Sequence, residues 1–414
     1  MKKLFAIVAF CLGLFAQDAT IEIVNTQTAL PRIVIEDSSA LANTSLQNVF
    51  YKLVVADLKV TSSYEVVSGY NTAAYASNFI NKDNAKFILR YQLSQNGNGV
   101  KVDYTLAVTD TNARVKGSFS QTSMQNFAFL AHLVVSDITK KLGLADVSWL
   151  NKKVVLARYV SPKVSEIVVA DYTLTSAKTI IAEGFNHTPK WANRAQNAFY
   201  YTSVTEGKST LYRYDLTNNK RAYITSSSGM LAVSDVSSNA EKILLSMGGL
   251  GQSEIYTYDA TNGALRQISH YSGIDVGGVF AENESKIYFV SNRLGFASIF
   301  ATQLNGGETS QVVTRGKNHF ELSAAGDYAV YASRESKNVG DKESFNLYLI
   351  SAKTDHIRQL TPNGYNVNPR LSADANTLLY LKRVDLQSAI GLIKIRENKG
   401  FSFASNLKIT SFDW

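Results

Sequence analysis

Cysteine is nearly absent: Cys11 is the single one in 414 residues. It lies in an apolar leader, so a chain cut after Ala16 would hold no disulfide, thiolate ligand or cysteine nucleophile. Methionine (4) and proline (5) are also scarce, whereas tyrosine (22) and phenylalanine (20) abound. That bias favours strands, whose pleated, half-buried surface accommodates aromatic and branched side chains. No run of five like charges occurs, and the net +8 is spread among interspersed acids and bases. Nucleic-acid recognition would want a basic stripe with aromatics between, which is missing.

The chemistry-bearing signatures are absent too. The five histidines, at 132, 187, 270, 319 and 356, have no metal-ligand spacing. His132 falls within an amphipathic pattern, as a packed or surface residue would. There is no G-x-S-x-G nucleophile elbow, no G-x-x-x-x-G-K-[ST] loop and no H-E-x-x-H. GGLGQS (248–253) lies between two strand-like lines and reads as a turn. Catalysis, a cofactor or a metal is therefore not expected. With 45% hydrophobic and 18% charged residues the chain can nonetheless bury a large core.

MKKLFAIVAFCLGLFAQDA opens with two lysines, an apolar run from Leu4 to Ala16 and a polar turn. The run is too short to span a bilayer and matches a secretory signal, residues 1–16, with cleavage expected after Ala16. Cys11 follows Phe10 rather than a small residue, which does not fit a lipoprotein anchor. An exported chain without a later spanning segment is the expectation.

Residues 17–145 read as an α/β (α+β) domain. IEIV (21–24), RIVIE (32–36) and YEVVS (64–68) have strand character, and SLQNVFYKLVVADL (45–58) places Leu46, Val49, Phe50, Leu53, Val54 and Leu58 on one helical face. TAAYASNFI (72–80) reads as a short helix. AKFILRYQLSQ and VKVDYTLAVTDT flank NGNG as a hairpin, and SMQNFAFLAHLVVSDITKKLG (123–143) is a helix stopped by Gly143.

From 146 to 414 the pattern changes to short strands that repeat. SEIYTYDATNG (253–263) has counterparts centred on Ile167, Leu211, Ile255, Ile299, Leu347 and Leu392, spaced by 44, 44, 44, 48 and 45 residues. Six copies with three or four strands each predict a six-bladed β-propeller of the WD40-like kind. Inner strands anchor on Trp191, Val236, Phe280, Leu322 and Leu371, one short of six. The tail KITSFDW supplies the sixth at Phe412, so the C-terminus should complete the first blade and close the ring.

The loops entering the inner strands are GFNHTP, GMLAVS, GIDVGG, GKNHFE and GYNVNP. They would gather Asn186, His187, Asp275, Asn318, His319, Tyr365 and Asn366 on one channel rim, either as a hot-spot ring or as ordinary polar turns. At the other end of the chain, Ile21, Glu22, Ile23 and Val24 could pair with a partner's sheet edge or within their own domain.

An export signal, an α/β domain of about this size and six blades with RQLT-type endings resemble the TolB family, periplasmic propeller proteins of the Tol–Pal system. The likeness extends over essentially the whole chain. Locally it rests on IEIV with LPRIVI, on NHTPKW and NPRLSADA, on RQLTPNG and on KITSFDW. The family's Pro-Asp-Gly turn is replaced by ANRAQ, SSNAE, AENES, SAAGD and SADAN, as in a divergent branch.

The resemblance implies a non-enzymatic, monomeric periplasmic adaptor. Its rim residues would bind the lipoprotein Pal, and Ile21 to Val24 would bind TolA, with the two sites coupled allosterically. Other outer-membrane proteins are further candidate partners. Outer-membrane integrity and constriction at division would be its tasks. Two alternatives stay open: a periplasmic propeller that acts on glycans or peptides in its channel, and a scaffold for outer-membrane assembly. The first would need clustered channel carboxylates, of which only Asp275 is placed there by the sequence.

Overall fold

The computed structural model describes residues 29–41, 43–67, 69–80, 84–249, 251–335, 343–384 and 387–414. The leader, its cleavage point and Ile21, Glu22, Ile23 and Val24 lie outside the described residues.

The N-terminal part is a mixed sheet with two helices on one face. Strand β1 (Arg32–Asp37) pairs in parallel with β2 (Glu65–Val66), β3 (Asn71–Thr72) and β4 (Phe87–Asn96); β5 (Gly99–Val108) and β6 (Arg114–Gln121) continue antiparallel. Helix α1 (Thr44–Val60) starts where the Asn43 side chain accepts the Leu46 N–H at 3.1 Å, a side-chain cap for an otherwise orphaned donor. Helix α2 (Phe127–Lys141) ends at Leu142, followed by Gly143 at φ +66. Phe50, Val54 and Leu58 of α1 and Leu130, Val134 and Ile138 of α2 pack on Ile33, Ile35, Leu89 and Tyr104 of the sheet.

The helix expected over 72–80 does not form. Arg90, buried on β4, pairs with Glu36 at 2.7 Å and donates to the carbonyls of Ala74 (3.1 Å) and Ser77 (2.6 Å). Those carbonyls would otherwise serve a helical ladder, so the segment wraps the guanidinium instead. YEVVS contributes only the two residues of β2, and β6 is a strand that the hydrophobic pattern did not reveal.

Beyond Ser148–Asn151 the chain builds six four-stranded blades. The inner strands, in blade order, are Lys408–Asp413, Phe185–Trp191, Met230–Val236, Asp275–Ala281, His319–Ala325 and Tyr365–Leu371. The repeated line is the third strand of every blade; in the third blade it is Glu254–Asp259. Its alternation feeds the seams between blades: Leu211 and Tyr200 of the second blade meet Leu231, Val233 and Leu245 of the third. The C-terminal strand does close the ring. It lies antiparallel to Val154–Ser161, with Lys408 opposite Tyr159 and Phe412, fully buried, opposite Leu156.

The two parts share apolar packing. Tyr172 of the first blade touches Trp149 at 5.7 Å between ring centroids and Phe403 of the sixth at 5.1 Å.

Candidate functional site: the channel rim

All six inner strands slip register midway along their length: at His187/Lys190, Val233/Asp235, Val276/Val279, Phe320/Leu322, Val367/Arg370 and Ile409/Ser411. Such bulges bend a strand and re-aim its backbone groups. Thr188 (φ 47), Gly277 (φ 66), Glu321 (φ 43) and Asn368 (φ 56) adopt left-handed backbone there. For the β-branched Thr188 this is a strained conformation, of the kind that clusters at functional sites. The turned-out amides bind neighbouring blades: Thr188 N–H donates to Ser411 Oγ at 3.2 Å and Gly277 N–H to Ser246 Oγ at 2.9 Å.

The structure divides the expected rim residues into two sets. Asn186, Asp275, His319 and Asn366 are buried, so their side chains are not contact groups. Asn186 Nδ2 donates to the carbonyls of Ser165 (3.0 Å) and Glu183 (2.7 Å); Asn366 Nδ2 does the same job for Phe345 (3.2 Å) and Asn363 (2.8 Å). Both tie the start of an inner strand to the preceding blade. Asp275 pairs with Arg293 at 2.9 Å inside the fourth blade, not in the channel as the sequence suggested. The His319 ring lies tilted against Tyr331, 4.9 Å between centroids, and burial pushes its imidazole down to about 4, which keeps it neutral at pH 7. His187, Asn318 and Tyr365 remain half-exposed at the rim. Burial also lowers the His187 imidazole.

By strand register, exposed apolar residues of five blades lie at this same end, where the inner strands begin, as a ring that sequence inspection missed. Val160 is 59% exposed, Val384 57% and Leu294 46%, accompanied by Tyr159, Met230, Ile274 and Phe320. Exposed apolar side chains gathered on one face, rather than scattered, mark an interaction surface. Two clefts open among them. One of about 910 Å³ lies between the first and second blades, lined by Tyr159, Val160, Pro162, Phe185 and Val204 with Lys163 and Lys408 at its edge. The other, about 650 Å³, is bordered by Tyr365, Val384, Lys382 and Arg383, the last stacked 5.1 Å over the Tyr365 ring. A clue in the sequence was YVSPK (159–163), an aromatic and a valine carried straight into a proline turn.

Besides Asp275, the inner strands carry the carboxylates Asp235, Glu321 and Asp413, and Glu321 accepts the Asn368 N–H of the next blade. Asp413 pairs with Lys190 (2.9 Å) and Arg370 (3.3 Å), and Asp235 with Lys190 (3.4 Å). Burial pushes the Asp235 carboxyl up while Lys190 opposes it. Each carboxylate is thus committed to a cation or a backbone amide. Among the described residues no group of three or more His, Cys, Asp or Glu is arranged to hold a metal ion.

A further buried ionic group sits where the N-terminal part meets the first blade. His132 Nδ1 lies 2.8 Å from Asp57 of α1, and its Nε2 lies 3.3 Å from Asp171 of the first blade. Tyr172 donates its hydroxyl to Asp57 at 2.5 Å. Burial alone would lower the imidazole, but Asp57 and Asp171 outweigh it and raise His132 to about 10. Burial likewise works to raise Asp171, yet His132, Thr173 and the Ser176 amide hold it below its ordinary value. His132 is therefore a packed, charged histidine, the first of the two placements, packed or surface, that the sequence offered.

Comparison with known proteins finds likeness over the full length. The family model described as "TolB beta propeller domain" matches residues 150–406. The Tol-Pal system protein TolB of Campylobacter jejuni is 41% identical over 417 residues, covering 100% of both chains. That of Wolinella succinogenes is 41% identical over 415 residues and 97% of each chain. Among solved structures, TolB from Acinetobacter baumannii aligns with a TM-score of 0.72 at 16% identity, over 93% of this chain and 96% of that one.

Proposed function

Because the chain belongs to the TolB family, we propose that it works as a non-enzymatic periplasmic adaptor of the Tol–Pal envelope system. In this proposal residues 1–16 are removed on export, 17–145 form the N-terminal domain and 146–414 the propeller. The rim binds the lipoprotein Pal, and Ile21, Glu22, Ile23 and Val24 bind TolA as an added strand. The protein acts as a monomer that supports outer-membrane integrity and constriction at division.

The observation that carries the rim assignment is the exposed apolar ring with its two clefts. Aromatic and aliphatic anchors in clefts, edged by cations, are what a protein-binding hot spot consists of. The paired state of Asp235 and Asp413, and the Asn368 amide held by Glu321, favour binding over catalysis in the channel, since each carboxylate already has a partner.

The test is a binding titration with purified, lipid-free Pal and with TolA. Tyr159→Ala/Val160→Asp should weaken Pal at least tenfold and leave TolA unaffected. Deleting 17–25 should abolish TolA binding and preserve Pal binding. Loss of both partners on that deletion would make the strand structural and defeat its assignment.

A further inference from the structure

All three tryptophans of the chain gather at the opposite mouth of the channel, where the inner strands end. Trp149 belongs to the connection between the two parts, Trp191 ends the second blade's inner strand, and Trp414 follows the closing strand. The Trp149 and Trp414 rings stand 6.0 Å apart, and Trp191 and Trp414 line a cavity of about 200 Å³. That is about the space of six or seven water molecules. It is large enough for a small ion.

The charges around this cavity do not balance. Lys152, Lys190, Arg194 and Arg370 line it with Asp235, Asp413 and Trp414, whose α-carboxylate is a third negative charge, so cations outnumber carboxylates by one. Both aspartates are already committed. Asp413 accepts the Trp191 N–H at 2.9 Å besides pairing with Lys190 and Arg370, and Asp235 accepts the Phe280 N–H at 2.9 Å. Lys152 and Arg194 have no carboxylate partner among the described residues. The Lys152 ammonium rests 5.6 Å from the Trp414 ring centre. Two indole donors are left over: Trp414 Nε1 and Trp149 Nε1 are both buried without an acceptor among the described residues. An indole N–H in that state costs free energy until something accepts from it.

We propose that this mouth binds a compact dianion of the phosphate class. Arg194 offers the planar fork that matches phosphate oxygens, Lys152 a mobile point charge, and Trp414 one directional donor. Lys152 and Arg194, the two lining cations without a carboxylate partner among the described residues, match a doubly charged oxyanion better than a single carboxylate. Lys190 and Arg370 add field without leaving Asp413. The bound ion would touch the closing strand, the second blade and the connection to the N-terminal part together.

The clustered tryptophans supply the assay. Inorganic phosphate is titrated into the full mature chain at fixed ionic strength, with chloride making up the difference, and intrinsic tryptophan emission is followed. A saturable change is expected, shifted at least tenfold toward higher phosphate in Lys152→Ala/Arg194→Ala. Both side chains lie outside the core, and an unchanged melting midpoint verifies that the variant is folded. Trp414→Phe should weaken binding while Trp149 and Trp191 still report it. A parallel titration with glycerol 3-phosphate separates two sources of the same chemistry. Saturation by it as well indicates an esterified phosphate, and saturation by phosphate alone the free ion. Emission that follows chloride and phosphate equally, or a response that survives the double substitution, overturns the site.

Discussion

Replacing His132 by alanine removes the one cation between Asp57 and Asp171 and leaves both carboxylates buried. Breaking one partner of a buried ionic group typically costs ~3–5 kcal/mol. The titration behaviour gives a second measure. Raising the imidazole from 6.5 to about 10 contributes about 4 kcal/mol at pH 7, at ~1.36 kcal/mol per pKa step. The sign follows from the raised value: the contribution is complete below about pH 6.5 and disappears as pH climbs through about 10. If β1 to α2, about 110 residues, melts as its own unit, unfolding entropy of ~2.1 cal/mol/K per residue turns this into about 15 °C. Calorimetry of wild type and His132→Ala from pH 6 to pH 10.5 measures it. Using the difference between the two proteins removes the effect of other groups that titrate in alkali. The gap should be large at pH 7 and close as pH approaches 10.5. A variant melting within 2 °C of wild type at pH 7, or a gap that does not narrow in alkali, would refute the reasoning.

Three other perturbations follow from the same geometry. Deleting 408–414 strips the first blade of its inner strand and removes Asp413 from Lys190 and Arg370; thermal unfolding should begin more than ten degrees lower, and an unchanged melt would contradict ring closure by this strand. Asn186→Ala should lower stability by about 1–3 kcal/mol through the orphaned Ser165 and Glu183 carbonyls, with Pal affinity unchanged in a titration at 15 °C. Arg90→Ala should release the 74–79 segment, seen as rapid limited proteolysis there while the wild type resists.

The blade count and the closing strand were legible because each blade repeats one local task. Alternating apolar residues on the third strand pack the seams, so Leu211, Ile255 and Ile299 recur at fixed spacing whatever their loops do. The rim was only half legible. Along Phe185–Asn186–His187 burial alternates with the pleat, which turns Asn186 into the blade and His187 toward the channel. Considering these residues as one loop missed that parity. The 72–80 segment was misjudged because its fate depends on Arg90, a residue from another strand, and nothing local announces that partner. Strand β6 lacked a hydrophobic pattern because its Gly117 lies beneath the Tyr104 ring, where a Cβ would come within 2.4 Å. The Asp57–His132–Asp171 group joins residues 75 and 39 positions apart, beyond the reach of any spacing rule.

The central claim is that the rim's exposed apolar ring is the partner-binding surface. Isothermal titration of the mature chain with lipid-free Pal tests it most directly, comparing wild type with Tyr159→Ala/Val160→Asp at matched thermal stability. Saturable one-to-one binding by the wild type, weakened at least tenfold in the variant, is the predicted result. Absence of binding by the wild type, or equal binding by both proteins, would contradict it.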